Sequence, residues 1–477
     1  MRSSARLGLL AHDPPRTRKS GIALQTRTLL KEYGRGVLGQ ALLVLAWGPL
    51  SASLIAQESM PEADSAQFIL SPSFRVGGQY NRVEGLPIML GSALERGGPS
   101  PFGAEALVIL RTDRLFGGDP DAVGYQIEVQ QQWGATNTFS AGAAAHSLIA
   151  PIERWHVSDL ETSLSTFFIH QDFRDHVEKT GFSVFVGVAN PDGRLTGRVT
   201  YRDESHDFVT PGSPLALSSD PEPWRPQPLV GVGRVRTVSA AVVFDDRDRF
   251  GYPNHGWYLS GGVTAAVGGS LILPEYLDAG SGPEIPVADA RAVATNFRRG
   301  TLEIRRYDRV GRSMNLRLRA IVTSSLGGGP LPPQFQRALG GPGSLPGYPL
   351  LSVDCGARSQ EYSVLQGEGA QTVRVPAYAG YGCDGFALFQ AEYGGRIPFG
   401  IVVDQDPYEL EDEYESPPFL DLRPHWSVFF EVARGWSMSD PGDEAFLGPD
   451  TETLLDVGAG LAMGPLGLYW AWPLAGE

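Results

Sequence analysis

The sequence predicts an all-β fold, a transmembrane antiparallel β-barrel of about 16 strands. Two observations carry this prediction. Apolar and polar residues alternate with a period of two from about residue 67 onward, as they do along a strand with two unlike faces. Only one apolar run, 37–56, is long enough to form a membrane helix, which excludes a protein built from several such helices.

The first 56 residues predict a leader that contains a secretory signal peptide. The apolar run Val37–Ala56 follows Lys31 and Arg35 and ends among small residues. This order of basic, apolar and small residues is typical of a cleaved signal. A single anchoring helix is the alternative, since about 20 residues span a bilayer. The predicted parts are therefore the leader 1–56, a short linker 57–66 and the barrel 67–477.

Composition excludes several classes of protein. With 42% hydrophobic residues the chain is not disordered, and with 2 Cys it is not a disulfide-rich scaffold. The formal net charge of −15 and a pI near 5.1 argue against nucleic acid as a partner, because phosphate binding requires concentrated Lys and Arg.

Alternation is clearest in four segments: Tyr125–Trp133, Phe182–Val188, Asn315–Val322 and Trp426–Val432. Either a soluble sheet packed on one side or a barrel with lipid outside and water inside explains it, and both remain open. The Gly-, Pro- and Asp-rich segments between the strands predict extended loops of one rim: 90–103, 211–228, 268–290, 326–384 and 400–424.

Several motifs add a family resemblance. Phe244–Leu259 (FDDRDRFGYPNHGWYL), Leu339–Pro349 (LGGPGSLPGYP) and Gly464–Leu474 (GPLGLYWAWPL) together resemble the C-terminal barrel of the BamA/TamA superfamily, the bacterial surface antigen domain. Asn81–Leu86 and Trp155–Gly181 are similar to one subgroup, and a type without POTRA domains or associated with a patatin domain is expected. The resemblance implies an outer-membrane barrel of a Gram-negative bacterium, with the loop 326–384 folded into the lumen.

The resemblance also implies site residues. Glu431, which faces opposite to Phe430 and so into the lumen, matches the acid that a loop arginine contacts in the family. Here Pro346 occupies the arginine position, so docking is expected to rest on backbone contacts, Tyr348, and Arg337 or Arg434. The motif that lies in the lumen loop comprises Leu339, Gly340, Gly341, Gly343, Ser344, Leu345, Gly347 and Tyr348.

The two cysteines and the strand count give further expectations. Export permits a disulfide between Cys355 and Cys383. In the family eleven strands precede the lumen loop and five follow it. Ten are recognisable here before the loop and four after it, so one is expected in Thr136–His146 and the final strand is expected to be absent. Truncation is the expected reason, and an abnormal seam is the alternative.

Catalytic and metal motifs are missing from the sequence. It contains neither H-E-x-x-H nor a G-x-S-x-G elbow, so we expect no enzyme, no metal and no cofactor. The acidic run 404–415 lacks the spacing of a Ca²⁺ loop and predicts a solvated loop. The resemblance implies a role in inserting or translocating outer-membrane proteins, with outer-membrane lipid, client proteins and separate periplasmic partners. A passive pore or a lipid or solute passage, and a secreted soluble all-β protein, are the alternatives.

Overall fold

The structure is a computed structural model. The acidic run 404–415, and the predicted leader apart from Gly21–Gln25, lie outside the residues that it describes. The described residues are 21–25, 67–77, 79–117, 120–134, 138–218, 224–225, 227–228, 230–248, 253–272, 276–277, 285–286, 292–293, 295–311, 313–327, 329–353, 355, 361–366, 369–374, 382–397, 402–403, 420–421, 424–438, 453–463 and 466–475.

Sixteen strands of five residues or more share one antiparallel sheet, to which the two-residue strand Ala292–Val293 is added. Two short hairpins, Tyr276–Leu277 with Ile285–Pro286 and Val402–Val403 with Leu420–Asp421, lie outside it, as does the hairpin of Glu361–Gln366 and Gly369–Arg374. The strands are β1 Gly21–Gln25, β2 Phe68–Val76, β3 Pro87–Arg96, β4 Phe102–Arg111, β5 Val123–Trp133, β6 Thr138–Pro151, β7 His176–Ala189, β8 Leu195–Asp207, β9 Val232–Asp245, β10 Gly256–Ile272, β11 Arg298–Val310, β12 Met314–Ser325, β13 Gly385–Arg396, β14 His425–Trp436, β15 Leu454–Met463 and β16 Leu466–Ala475.

Each strand from β2 to β16 pairs with the next along the chain, which is the up-and-down order of a barrel. Eleven of these strands precede the lumen loop and four follow it, so the predicted all-β barrel is confirmed. The strand expected in Thr136–His146 is β6. Beside β16, the next place in the sheet is occupied by β1, which comes from the segment predicted as leader.

The outward face of the strands is apolar. On β7, Val184 and Val186 are exposed, Val186 by 59%, whereas the intervening Phe185 is buried. The same arrangement recurs on β5, where Ile127 and Val129 are exposed. A row of exposed valine and isoleucine side chains suits a lipid solvent, so the fold is that of a transmembrane barrel. No described helix is long and apolar enough to cross a membrane.

Strand direction defines two rims. Because each strand reverses the last, the connections 77–86, 112–122, 152–175, 208–231, 273–297, 326–384 and 437–453 meet at one end, here called the long-loop rim. The other end, the short-turn rim, holds the connections 97–101, 134–137, 190–194, 246–255, 311–313, 397–424 and 464–465. The expectation that 90–103 and 400–424 belong with the other long loops is therefore wrong. Half of 90–103 is β3 and the rest is a short turn and the start of β4, while 400–424 connects strands at the opposite rim.

The α-helices among the described residues lie in two long-loop-rim connections: α1 Thr112–Gly117 and α2 Asp159–Ile169. The Ser158 side chain caps α2 by accepting from the Glu161 N–H. The loop that carries α2 also contacts the Asn81–Gly85 turn, since the buried Arg82 lies 2.5 Å from Asp175 and 3.3 Å from Asp172. The two segments that resemble one subgroup of the family are thus in contact.

Candidate functional site: the lumen loop and its wall

The lumen-loop motif forms a tight turn. The Gly341 N–H lies 3.0 Å from the Leu345 carbonyl oxygen, and the Ser344 hydroxyl accepts from the Gly340 N–H at 3.0 Å. Gly343 has φ +79°, and an added Cβ there would overlap the carbonyl of His156. Glycine is therefore required at this position both by conformation and by space.

Apolar residues hold this turn against the inner wall. Leu339 and Leu345 are fully buried, and they pack on inward-facing residues of β12 to β15. Burying such a side chain contributes about 1.5–3 kcal/mol, so these two anchors fix the position of the loop. The wall residues of this cluster are Ile321, Phe386, Leu388, Ala433 and Leu454.

Two residues that follow Pro346 bond to the last two strands. The Gly347 N–H donates to Asp456 Oδ2 at 2.7 Å. The Tyr348 hydroxyl lies 3.1 Å from the Leu455 carbonyl, accepts from the Leu455 N–H at 3.3 Å and donates to the Ala475 carbonyl. Burial raises the pKa of the Tyr348 hydroxyl, which keeps it a hydrogen-bond donor.

The Tyr348 hydroxyl lies at a break in the β15–β16 ladder. Leu455 pairs with Ala475 and Asp456 with Pro473, so Leu474 is the extra residue of a bulge. Pro473 has no N–H to give to the ladder. The tyrosine bridges the two strands where their own backbone bonds are interrupted.

Two carboxylates face each other beside this contact. Glu431 on β14 and Asp456 on β15 are directly opposite in register, and both are buried. Glu431 Oε1 accepts from Gln390 Nε2 at 2.7 Å, but neither Glu431 Oε2 nor Asp456 Oδ1 has a hydrogen-bond partner among the described residues. Buried carboxylates without a cation are costly. The two buried carboxylates therefore form an acidic part of the wall that a cation would neutralise.

A polar chain extends from this pair around the wall. Gln390 Nε2 also reaches the Ser344 carbonyl at 3.2 Å, so the same amide bonds the loop and Glu431. Arg319 donates to Gln390 Oε1 at 3.1 Å and to Glu303 Oε1 at 2.7 Å. It also reaches the Trp155 carbonyl at 3.3 Å, which joins the loop that carries α2 to the same wall.

The start of the lumen loop is held separately. Glu153 accepts from the Ala338 N–H at 2.8 Å and lies 3.7 Å from Arg337. Cys355 and Cys383 form a disulfide with a Cα–Cα distance of 5.0 Å, and the backbone of Arg337 pairs with Cys383. These contacts tie the start of the loop to the connection between β6 and α2, and tie Arg337 and Cys355 to Cys383, just before β13.

Asp384 joins the loop to the chain after β14. Its carboxylate accepts from the Leu331 N–H at 2.7 Å, the Met438 N–H at 2.7 Å and the Gln336 side chain at 3.1 Å. Burial raises the pKa of Asp384 even though these donors favour the ionised form. Asp384 thus holds the chain before β13, the lumen loop and the segment after β14 together.

The structure brings together the lumen-loop motif and Glu431. Arg434 lies on the outward alternation with Phe430 and its side chain is exposed, so it faces away from the described lumen-loop motif. Sequence reasoning missed Gln390, which would have been found as an inward residue of the alternating segment Gly385–Arg396. It also missed Asp456, whose pairing with Glu431 depends on a strand register that sequence does not show.

No group of three or more His, Cys, Asp or Glu side chains suited to a metal ion occurs in the described part of the chain. What the structure shows is a set of polar and apolar contacts that hold the lumen loop against the wall. The loop contacts the last strand of the sheet directly, so docking and the state of that strand are physically coupled.

Comparisons with known proteins give structural matches only. Neither a family model nor a curated protein matches the sequence. Among solved structures, BamA from Haemophilus ducreyi lacking POTRA domains 1–3 matches with 13% identity, a TM-score of 0.48, and coverage of 86% of this chain and 67% of that one. CdiB from Escherichia coli matches with 11% identity, a TM-score of 0.35, and coverage of 87% and 60%. OccK3 from Pseudomonas aeruginosa has 11% identity, a TM-score of 0.27, and coverage of 85% and 93%.

Proposed function

We propose that this chain is an outer-membrane barrel of a Gram-negative bacterium that helps to insert or translocate other outer-membrane proteins and performs no catalysis. Its partners in this proposal are outer-membrane lipid, client barrels and separate periplasmic proteins. The BamA/TamA-like motifs of the sequence support it, and so does the location of the lumen loop beside the end of the sheet.

One observation carries the proposal. Among the described residues β2 pairs on one side only, with β3, while β16 pairs with β15 and with the five residues of β1. An edge strand offers unpaired N–H and C=O groups to an incoming strand, which is the basis of strand addition. Leu70 of β2, 72% exposed, marks this edge. A client strand that pairs there would begin its own sheet on the template.

In the proposal, docking of the lumen loop controls whether the last strand can separate. It bonds β16 at Ala475 through Tyr348, beside a carboxylate pair with no neutralising cation among the described residues. Because no cation among the described residues pairs with these carboxylates, the docked loop is held less firmly than an arginine would hold it. In the proposal a loosened loop frees the last strand to separate from its neighbours.

The test uses site-specific photocrosslinking in vesicles that contain the full chain. A photoreactive amino acid replaces Leu70 on β2, and a matched variant carries it at Val186, an exposed outward residue in the middle of β7. An unfolded client barrel added to the vesicles should crosslink at position 70 and not at 186, and should fold faster than in empty vesicles. Equal crosslinking at both positions, or unchanged client folding, would contradict the proposal.

Conductance recordings in planar bilayers distinguish the proposed assembly factor from a passive pore. A passive pore should give steady ion conductance, whereas the proposed assembly factor should give small, fluctuating currents because the loop lies against the wall of the lumen. Steady conductance together with unchanged levels of other outer-membrane proteins in a deletion strain would favour the pore.

A further inference from the structure

Two arginines interrupt the lipid-facing row of β9. The outward residues of this strand, read from the short-turn rim, are Phe244, Val242, Ala240 and Val238, and the next two are Arg236 and Arg234. The arginine side chains are 47% and 60% exposed, respectively. Charged side chains on a lipid face destabilise a barrel except near the interfaces, so their height along the barrel matters.

Geometry places the pair at the membrane boundary nearest the long-loop rim. Arg236 lies eight residues from Phe244, which at about 3.3 Å per residue and a tilt near 40° corresponds to about 20 Å along the barrel axis. An apolar band is about 25 Å tall, so a band that begins at Phe244 ends close to the arginines. Long loops are typically extracellular, which makes this the outer leaflet.

The aromatic residues nearby support the same height. Phe182 on β7 lies level with Arg236, because both are register partners of Asp203. Tyr201 on β8 pairs with Val238, the next outward residue below Arg236, and the Tyr201 and Phe182 ring centroids are 6.2 Å apart. Tyrosine is enriched where lipid tails meet headgroups, because one end of its ring is apolar and the other polar. Arg234 and Arg236 therefore lie at the height where lipid phosphate groups are found.

Asp203 alone does not balance the positive charges of Arg234 and Arg236. Arg234 forms a two-bond pair with Asp203, with distances of 2.5 and 2.7 Å, and Arg236 reaches the same carboxylate at 3.4 Å. One carboxylate thus serves two guanidinium groups, and the exposed Asp207 lies on the same face of β8, four residues toward the rim. Guanidinium groups bind phosphate oxygens through paired hydrogen bonds, and Arg236 makes the weaker contact with the acid.

The neighbouring strand leaves room for a headgroup. Gly268 is the register partner of Arg236 on β10, and the ladder shifts between Ala266 and Gly268. A Cβ on Gly268 would meet nothing closer than Arg236 Nη1 at 3.8 Å, and the extra residue of the bulge is Val267, which is 56% exposed. The arginines consequently have an open flank at Gly268, on the long-loop side of the exposed Val267.

We propose that Arg234 and Arg236 form a binding site for the phosphate of a lipid headgroup in the outer leaflet. The occupant is a phosphorylated glycolipid or phospholipid whose tails lie along Val238 and the other outward residues below, while Asp203 holds the two guanidinium groups side by side. This site lies on the opposite face of the wall from the lumen loop; it rests on the outer-membrane location proposed above but not on the role in protein insertion.

The experiment titrates the full chain in neutral detergent micelles with bisphosphorylated lipid A and counts bound lipids by native mass spectrometry. Arg234→Gln with Arg236→Gln is expected to weaken retention of one lipid about tenfold or more. Since this double variant leaves Asp203 without a partner, a triple variant that adds Asp203→Asn keeps the patch uncharged and should show the same loss. Arg194→Gln is the matched control, because Arg194 is also 60% exposed and paired with an aspartate but lies at the short-turn rim.

Two further arms identify the source of the phosphate. Dephosphorylated lipid A should bind wild type and triple variant alike, and millimolar inorganic phosphate should not displace the lipid. Displacement by inorganic phosphate would overturn the lipid assignment in favour of a free-anion site. Equal retention of bisphosphorylated lipid A by wild type and triple variant, or a loss as large in Arg194→Gln, would overturn the site itself.

Discussion

Replacing Tyr348 with phenylalanine tests the contact between the lumen loop and the last two strands. The change keeps the ring and removes only the hydroxyl, which bonds the Ala475 carbonyl and accepts from the Leu455 N–H at 3.3 Å. These backbone groups lie at the β15–β16 bulge, where Pro473 provides no replacement donor. Two hydrogen bonds at about 1 kcal/mol each predict a loss of roughly 1–3 kcal/mol of unfolding free energy.

The assay is equilibrium unfolding in urea of the full chain refolded in detergent micelles, together with limited proteolysis of the lumen loop. Tyr393→Phe is the matched control, because Tyr393 packs against Trp426 and its hydroxyl has no hydrogen bond among the described contacts. Tyr348→Phe should lower the unfolding midpoint and speed cleavage in 326–384, whereas Tyr393→Phe should do neither. Equal midpoints for the two variants would refute the bridging role.

The remaining predictions concern charge, pH and the disulfide. Pro346→Arg should raise the unfolding free energy by about 1–3 kcal/mol, since it supplies donors beside Glu431 and Asp456, and Pro346→Gln, which lacks the charge, should give less; equal urea midpoints for the two would contradict this. Burial raises the pKa of Glu84 to about 7, although Arg111, the Asn81 hydrogen bond and Arg114 each favour the ionised form; the negative charge of Glu178 raises it further. The native state then binds more protons than the unfolded state between pH 4.5 and 7, so stability should fall by about 3 kcal/mol as pH rises through that window. Glu84→Gln should remove this slope in urea titrations at each pH, and an unchanged slope would show that another group causes it. Cys355→Ser with Cys383→Ser should cost roughly 3–4 kcal/mol for a separation of 28 residues, measured by the same unfolding, and an unchanged midpoint would contradict the chain-entropy estimate.

The alternation of the sequence predicted most of the strands, because an outward residue must be apolar wherever lipid surrounds the barrel. Val184 and Val186 on β7 show this directly. The strand β6 was harder to recognise since its middle, 141–145, is made of alanine and glycine, which suit both faces. Residues 400–424 were assigned to the wrong rim because loop composition does not report the direction of the strands that flank it.

Only some residues of the candidate site could be predicted from the sequence. Glu431 follows from alternation along one strand, and the lumen-loop motif follows from its glycines. Asp456 does not, because its significance arises from facing Glu431 across a strand pair, and register between strands is set by three-dimensional packing. The Tyr348 contact is similar, since the bulge that it bridges becomes visible only once β15 and β16 are paired.

The central claim is that the lumen loop lies against β15 beside the end of the sheet, and an engineered disulfide tests it most directly. A Cβ added at Gly347 would lie 2.8 Å from the Cβ of Asp456. Disulfides have Cβ–Cβ distances of about 3.5–4.5 Å, so a shift of less than about 1 Å would suffice.

The measurement is peptide mapping by mass spectrometry of the folded, mildly oxidised Gly347→Cys/Asp456→Cys variant, with Gly347→Cys/Ser183→Cys as the control across the barrel. Ser183 lies on β7, eight strands from β15 along the sheet. The structure predicts a 347–456 crosslink beside the native 355–383 bridge and none to 183. A missing 347–456 crosslink, or equal crosslinking to 183, would contradict a loop docked at the last strands.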